Sequence, residues 1–131
     1  MSEREYAFNA LLLADKVITE NNGKKGLIGI FNMLNLSQVP GTSPSWMIYA
    51  SLSNVTGSHE VVFNLAHDDS GVVILSVGGE LNAPETTAEV EVILPIQNCR
   101  FPREGRYTLT MKIDGSYVAS RVVTVRTPKS E

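Results

Sequence analysis

Two histidines, one cysteine and a short arginine-rich loop are the residues of this chain whose types could do chemistry. His59 and His67 are separated by a stretch that reads as one strand, so they share a face but stand about 26 Å apart at roughly 3.3 Å per residue. One metal ion cannot bridge that gap, and a single cysteine adds almost no further ligands. Both histidines read as surface or strand-end residues. Asp68 and Asp69 could join Asp15 or Asp114 around calcium, but the Asp-x-Asp-x-Asp-Gly ladder is missing, and Asp-Ser-Gly is ordinary turn chemistry. Cys99 precedes Arg100, a cation able to lower a thiol pKa, although a small buried thiol is the simpler use. No Gly-x-Ser-x-Gly elbow occurs; Gly41-Thr42-Ser43-Pro44-Ser45 reads as a loop. Gly78-Gly79 lacks a P-loop lysine and a following helix. No catalytic, metal-binding or cofactor-binding residue is assigned. Arg100, Arg103 and Arg106, grouped around Phe101, form a candidate anion contact. Glu104 sits among them, and pairing with acidic strands elsewhere would use the same arginines.

The chain that must position these groups has 131 residues and 14.3 kDa, which suits one domain over 1–131 with an ordered core at about 6–127. A net charge of −3 and a pI near 5.4 argue against a general nucleic-acid binder. No apolar run approaches the roughly 20 residues of a membrane-spanning helix. The start, Met1-Ser2-Glu3-Arg4-Glu5, lacks the features of a secretory signal, and Cys99 has no disulfide partner within the chain. A cytoplasmic protein is expected. Charge is segregated: the 74 residues between Lys25 and Arg100 hold seven acids and no Lys or Arg, whereas the last 32 carry seven bases against three acids. Two readings stand. Acidic and basic strands pair within one fold, or an electrically polar molecule docks copies of itself or an acidic partner.

Hydrophobic patterning has period 2 almost throughout, and no convincing amphipathic helix occurs. Tyr107, Leu109, Met111 and Ile113 alternate with polar residues, Asp114-Gly115 supplies a two-residue hairpin turn, and Tyr117–Arg126 returns as the partner. Further strands are expected over 46–55, 59–67, 72–77 and 88–94, with 37–45 and 78–87 as loops. Near the start, 8–13 and 27–34 flank the turn chemistry of Glu20–Lys25. About eight short strands with no covering helix predict an all-β fold, an antiparallel two-sheet sandwich of immunoglobulin-like or related Greek-key topology. Tyr107 stands where the tyrosine corner of such a sandwich would fall.

The first two strands are apolar on both faces. In 27–34, Leu27, Phe31 and Met33 fall on one side and Ile28, Ile30 and Leu34 on the other; in 8–13, Leu11 and Leu13 oppose Phe8, Ala10 and Leu12. A two-sheet arrangement buries one face per strand. Either a bulge shifts the register or a loop covers the outer face, or else this hairpin is an interface with Ile28, Ile30 and Phe31 as its candidate contacts.

The order of these signals resembles a family of small bacterial proteins of unknown function. The resemblance rests on Leu13-Ala14-Asp15, then Gly23-Lys24-Lys25-Gly26-Leu27-Ile28-Gly29-Ile30-Phe31, His59 before a strand, Asp68–Gly71, Phe101-Pro102, Gly105-Arg106-Tyr107 and Asp114-Gly115. It spans about Ala10 to Val125. The Lys25-Gly26 step departs from the pattern by inserting a residue before the apolar run. The resemblance implies an all-β sandwich in a bacterial or phage cytosol and attaches no activity to it. The function expected is therefore non-enzymatic protein–protein association, as a homo-oligomer or accessory subunit, without nucleic acid, membrane or cofactor. The alternative is a small-ligand or glycan-binding module using Trp46, Tyr49 and Tyr117 as stacking residues.

Overall fold

Alternating sequence becomes strand wherever one face can be buried, and a computed structural model, which describes residues 6–83 and 89–128, contains eleven strands and no helix among them. A four-stranded sheet has the order β2-β1-β5-β8, from β1 (Ala7–Thr19), β2 (Lys25–Ile30), β5 (Trp46–Ser53) and β8 (Val90–Ile96). A five-stranded sheet has the order β3-β11-β10-β6-β7. Its members are β3 (Met33–Asn35), β6 (Gly57–His67), β7 (Val73–Ala83), β10 (Gly105–Ile113) and β11 (Ser116–Arg126). Two-residue strands β4 (Gly41–Thr42) and β9 (Arg100–Phe101) pair with each other.

One hydrophobic cluster draws on both large sheets: Leu13, Ile48 and Leu52 from the first, Phe63, Leu65 and Leu109 from the second, all fully buried. Burial of each such side chain contributes roughly 1.5–3 kcal/mol.

The expected eight strands become eleven because three are two or three residues long, too short to show a period. The expected loop over 78–87 is strand as far as Ala83, since β7 pairs with β6 through Gly57↔Ala83; residues 84–88 lie outside the described part. Not every pair is antiparallel: β3 runs parallel to β11, with Thr124↔Met33. Strand 27–34 is in fact two strands. The chain leaves β2 at the edge of one sheet and, after Phe31 and Asn32, joins the edge of the other as β3. Phe31 N–H donates to Leu13 O at 2.9 Å, and Thr124 N–H to Asn32 O at 3.0 Å, so the crossing is pinned on both sides.

The C-terminal hairpin has the expected turn, with Asp114 and Gly115 at φ 51° and 82°. At its entry the Tyr107 hydroxyl donates to Arg103 O at 2.7 Å.

The N-terminal hairpin folds back on its own sheet. β1 pairs with β5 over Ala7–Ala14 and with β2 over Ala14–Thr19, a bulge at Asn9 shifting the first register. Lys25, opposite Thr19, would lie about 30 Å along a straight ladder from the row containing Ala10, Ser51 and Glu91. Its Nζ is instead 3.2 Å from Glu91 Oε1. The distal hairpin therefore turns over the outer face of the sheet. Gly29 sits in the turning region at φ 73°, and a Cβ there would meet Asp15 Oδ2 at 2.3 Å. Only glycine meets both conditions without rearrangement.

Candidate functional site

The outer face of the four-stranded sheet carries Leu12, Met47, Tyr49 and Ile93, which alternate with core residues. Without a cover Tyr49 would be solvated; with the hairpin over it, it is 8% exposed. Its hydroxyl donates to Glu91 Oε2 at 2.5 Å, and burial, reinforced by that carboxylate, pushes its pKa up to about 12. Val17 and Leu27, a cross-strand pair, are half-buried, while the alternate residues of the hairpin point outward. Those are Ile18, Ile28 and Ile30, at 44%, 50% and 53% exposure.

Of the three candidate interface residues, Ile28 and Ile30 share this outward face. Phe31 does not. It is half-buried against the core and meets Trp46 edge-on at 6.0 Å. Ile18 joins the patch from β1; its position two residues after Lys16, on the Ile28 face, was the signal for it.

The second candidate surface is a cleft of about 260 Å³ between the outer strands β7 and β8. Val61, Phe63, Leu81, Val92 and Leu94 line it, with Glu80 and Glu91 at its border. Gly79 explains it. It pairs with Val61, which points into the core, so a side chain at 79 would fill the space; a Cβ there meets nothing within 4 Å. Gly78 is different, because a Cβ would strike Val61 O at 2.2 Å. Pattern reading missed Gly79 because a Gly-Gly pair looks like a loop.

Arg106 Nε lies 3.3 Å from Asp68 Oδ2, an acid–base pair of the kind expected between strands. The backbone of Arg103 anchors Tyr107, Arg100 is exposed on β9, and Glu104 Oε1 accepts the Thr127 N–H at 3.0 Å. These contacts make the 100–106 loop a corner of the fold.

The histidines have separate structural tasks. His67 is 3% exposed, accepts the Ser70 N–H at Nδ1 (3.2 Å) and donates from Nε2 to Glu104 O (3.0 Å), a pattern that assigns its tautomer. His59 bonds Asp114 Oδ2 and Thr56 O, both at 2.7 Å, beside the hairpin turn. The Asp114 bond, then the Thr56 carbonyl, raise the His59 pKa, and the His59 bond lowers that of Asp114. Cys99 is buried, and burial pushes its thiol up to about 11, against the lowering considered for Arg100. The three aromatic residues considered for stacking part company. Trp46 is buried at 2% exposure with Nε1 donating to Ser43 Oγ at 3.1 Å, Tyr49 lies beneath the hairpin, and Tyr117 is exposed on the other sheet. Among the described residues, no three His, Cys, Asp or Glu gather as metal ligands, and no helix is long and apolar enough to cross a membrane.

Two sheets with one shared core make this an all-β domain, and its candidate surfaces are the outward hairpin face and the cleft between β7 and β8. Residues 9–126 match the family of unknown function DUF6941, and the chain belongs to that family. No curated protein matches it. Among solved structures, it is similar to part of the alkylpurine DNA glycosylase AlkC of Pseudomonas fluorescens bound to DNA containing an abasic site analog. There the TM-score is 0.56 at 12% identity, covering 93% of this chain and 30% of that one. It is also similar to part of a β-glucosidase from Listeria innocua in complex with glucose, with TM-score 0.51 and 12% identity over 93% of this chain and 16% of that one. The chain spans less than a third of either protein, and at this identity the likeness concerns the fold alone.

Proposed function

We propose that this chain is a non-enzymatic, immunoglobulin-like β-sandwich module that acts by binding protein, as a homo-oligomer or accessory subunit in the cytoplasm. The observation that carries the reading is the outward face of the β1–β2 hairpin, where Ile18, Ile28 and Ile30 stand 44–53% exposed on neighbouring strands. Clustered isoleucine on a surface is expensive in water and is relieved by association. The hairpin already covers one apolar face, so its own outer face is the next to be covered.

The strand order supports the immunoglobulin-like part. β1-β5-β8 corresponds to strands A-B-E of that fold, and β11-β10-β6-β7 to G-F-C-C′. Tyr107, at the start of the F equivalent, makes a bond to the backbone four residues upstream, as a tyrosine corner does.

The double variant Ile28→Glu/Ile30→Glu tests the association. Native mass spectra of the wild-type protein isolated from its own host are expected to show a multimer or a stoichiometric partner, and the double variant a free chain with unchanged folded spectra. Identical masses for the two proteins would refute the assignment.

A further inference from the structure

We propose that His59 is a pH-operated latch: doubly protonated, it ties the 54–56 connection between β5 and β6 to the β10–β11 turn, and loss of one proton frees that connection. The inference is independent of the association reading, because no residue of the β1–β2 hairpin takes part in it.

The geometry calls for two protons on the ring. Nδ1 lies 2.7 Å from Asp114 Oδ2, and Nε2 lies 2.7 Å from Thr56 O. A backbone carbonyl only accepts hydrogen bonds, and so does an ionised carboxylate. Asp114 is ionised here. Its second oxygen, Oδ1, accepts the Glu60 N–H at 2.9 Å, and the His59 bond, then this one, hold its pKa below the ordinary 3.8. A neutral imidazole has a single N–H, so it serves one of the two oxygens and turns a lone pair toward the other. Both bonds together belong to the imidazolium. The same two acceptors, Asp114 foremost, raise the His59 pKa above its ordinary 6.5.

The two sides of the latch are held unequally. Asp114 is fixed to β6 without the histidine, since its own N–H donates to Glu60 O at 2.8 Å while Oδ1 accepts from Glu60. The connection is anchored from below by Val55, at 2% exposure, but Thr56 itself is exposed. When the ring loses a proton, the N–H that stays is the one on Nδ1, whose acceptor carries a full charge. Nε2 then sets a lone pair against Thr56 O, and the carbonyl turns away while Val55 keeps its place.

Charges on the adjoining elements leave Asp114 in control. Glu60 alternates with buried Val61, so it lies on the outer face of the sheet, as does Glu80, its partner on β7. Lys112 pairs with Val62 and Tyr117 on that outer face as well. Across the core, Glu91 on β8 is turned outward to Tyr49. Leu81 stands opposite His59, and residues 54–58 carry no charge.

The chain has only two histidines, so NMR of the ring nitrogens reads each one directly. His67, which accepts at Nδ1 and donates at Nε2, is the internal reference for a singly protonated ring. Below pH 6.5, His59 is expected to carry protons on both nitrogens, and to lose the one on Nε2 with a midpoint above that value. The Gly57 amide, bonded to the Thr56 carbonyl carbon, is expected to shift with the same midpoint while the Val61 and Phe63 amides stay still. Asp114→Asn is expected to lower the midpoint, with the Gly57 shift following it, and His59→Gln to abolish the Gly57 shift. A singly protonated His59 below pH 6.5, or a proton lost from Nδ1 instead, would overturn the proposal. So would a Gly57 shift that ignores the His59 midpoint or persists in His59→Gln. If His59→Gln loses its folded spectrum, the wild type and Asp114→Asn decide the matter alone.

Discussion

The two terminal hairpins begin from the same alternating pattern and end in different places. β10 and β11 pair along their length inside the larger sheet, with one register shift after Met111, and Tyr107, Leu109 and Met111 are fully buried. β1 and β2 pair just as regularly over Ala14–Thr19, yet they turn over the outside of the sheet and leave isoleucines in solvent. The difference lies in the second face. Thr108, Thr110 and Lys112 let the outer face of β10 meet water, whereas Leu12, with Met47 and Tyr49 beside it, needs a cover. A strand that is apolar on both sides recruits whatever segment is near enough to fold over it. Here that segment is its own continuation.

The contrast is broken most severely from the C-terminal side. Leu109→Ala removes a fully buried side chain from the shared core and is expected to lower the unfolding free energy by about 3 kcal/mol, measured by urea titration. If the hairpins are as different as their burial indicates, Ile28→Ala should change the same quantity by well under 1 kcal/mol.

A smaller effect is expected at the turning region. Gly29→Ala puts a Cβ into a left-handed backbone and against the Asp15 carboxylate, with an expected loss of about 1–2 kcal/mol. Hydrogen exchange should place that loss in β2 and in the amides around Tyr49, leaving β10 and β11 protected as before. Uniform loss across both sheets would mean that the folded-back hairpin is not a separate unit.

The gentlest probe is pH at the other turn. Because the Asp114 bond raises His59 above its ordinary 6.5, the stability it adds is complete below that value and disappears as pH rises through the raised one. Asp114, held below its ordinary 3.8, adds stability that is present above that value and is lost as pH falls through the lowered one. Their joint contribution is largest between the two ordinary values. His59→Gln should therefore narrow its deficit against wild type as pH climbs above the histidine range; a constant deficit would assign the effect to packing.

Patterning made the long strands legible because each has one face whose burial decides it. Asp114-Gly115 and Tyr107 were readable for a related reason: a turn and a corner are local, and their chemistry is carried by two or three neighbouring residues. What patterning could not reach depends on distant partners. Phe31 and Asn32 continue an apolar alternation while the chain changes sheets, so 27–34 looked like one strand. Gly78-Gly79 continues β7 because β6 lies beside it. Of the candidate site, Ile28 and Ile30 were found from their outer-face phase. The separation of Trp46, Tyr49 and Tyr117 could be settled only by the sheets themselves.

The parallel pairing of β3 with β11 has a consequence for how the molecule is made. Met33 waits for Thr124, about 90 positions later in the chain, before its edge is closed. During synthesis at about 5–20 residues per second, the segment that crosses between sheets stays unlatched for several seconds, after β6 and β7 are already available to pair. The last strand therefore acts as a clasp: until it arrives, the early hairpin has its cover but not its anchor, and the nascent chain carries an unpaired edge that a ribosome-bound chaperone or a neighbouring copy can reach first.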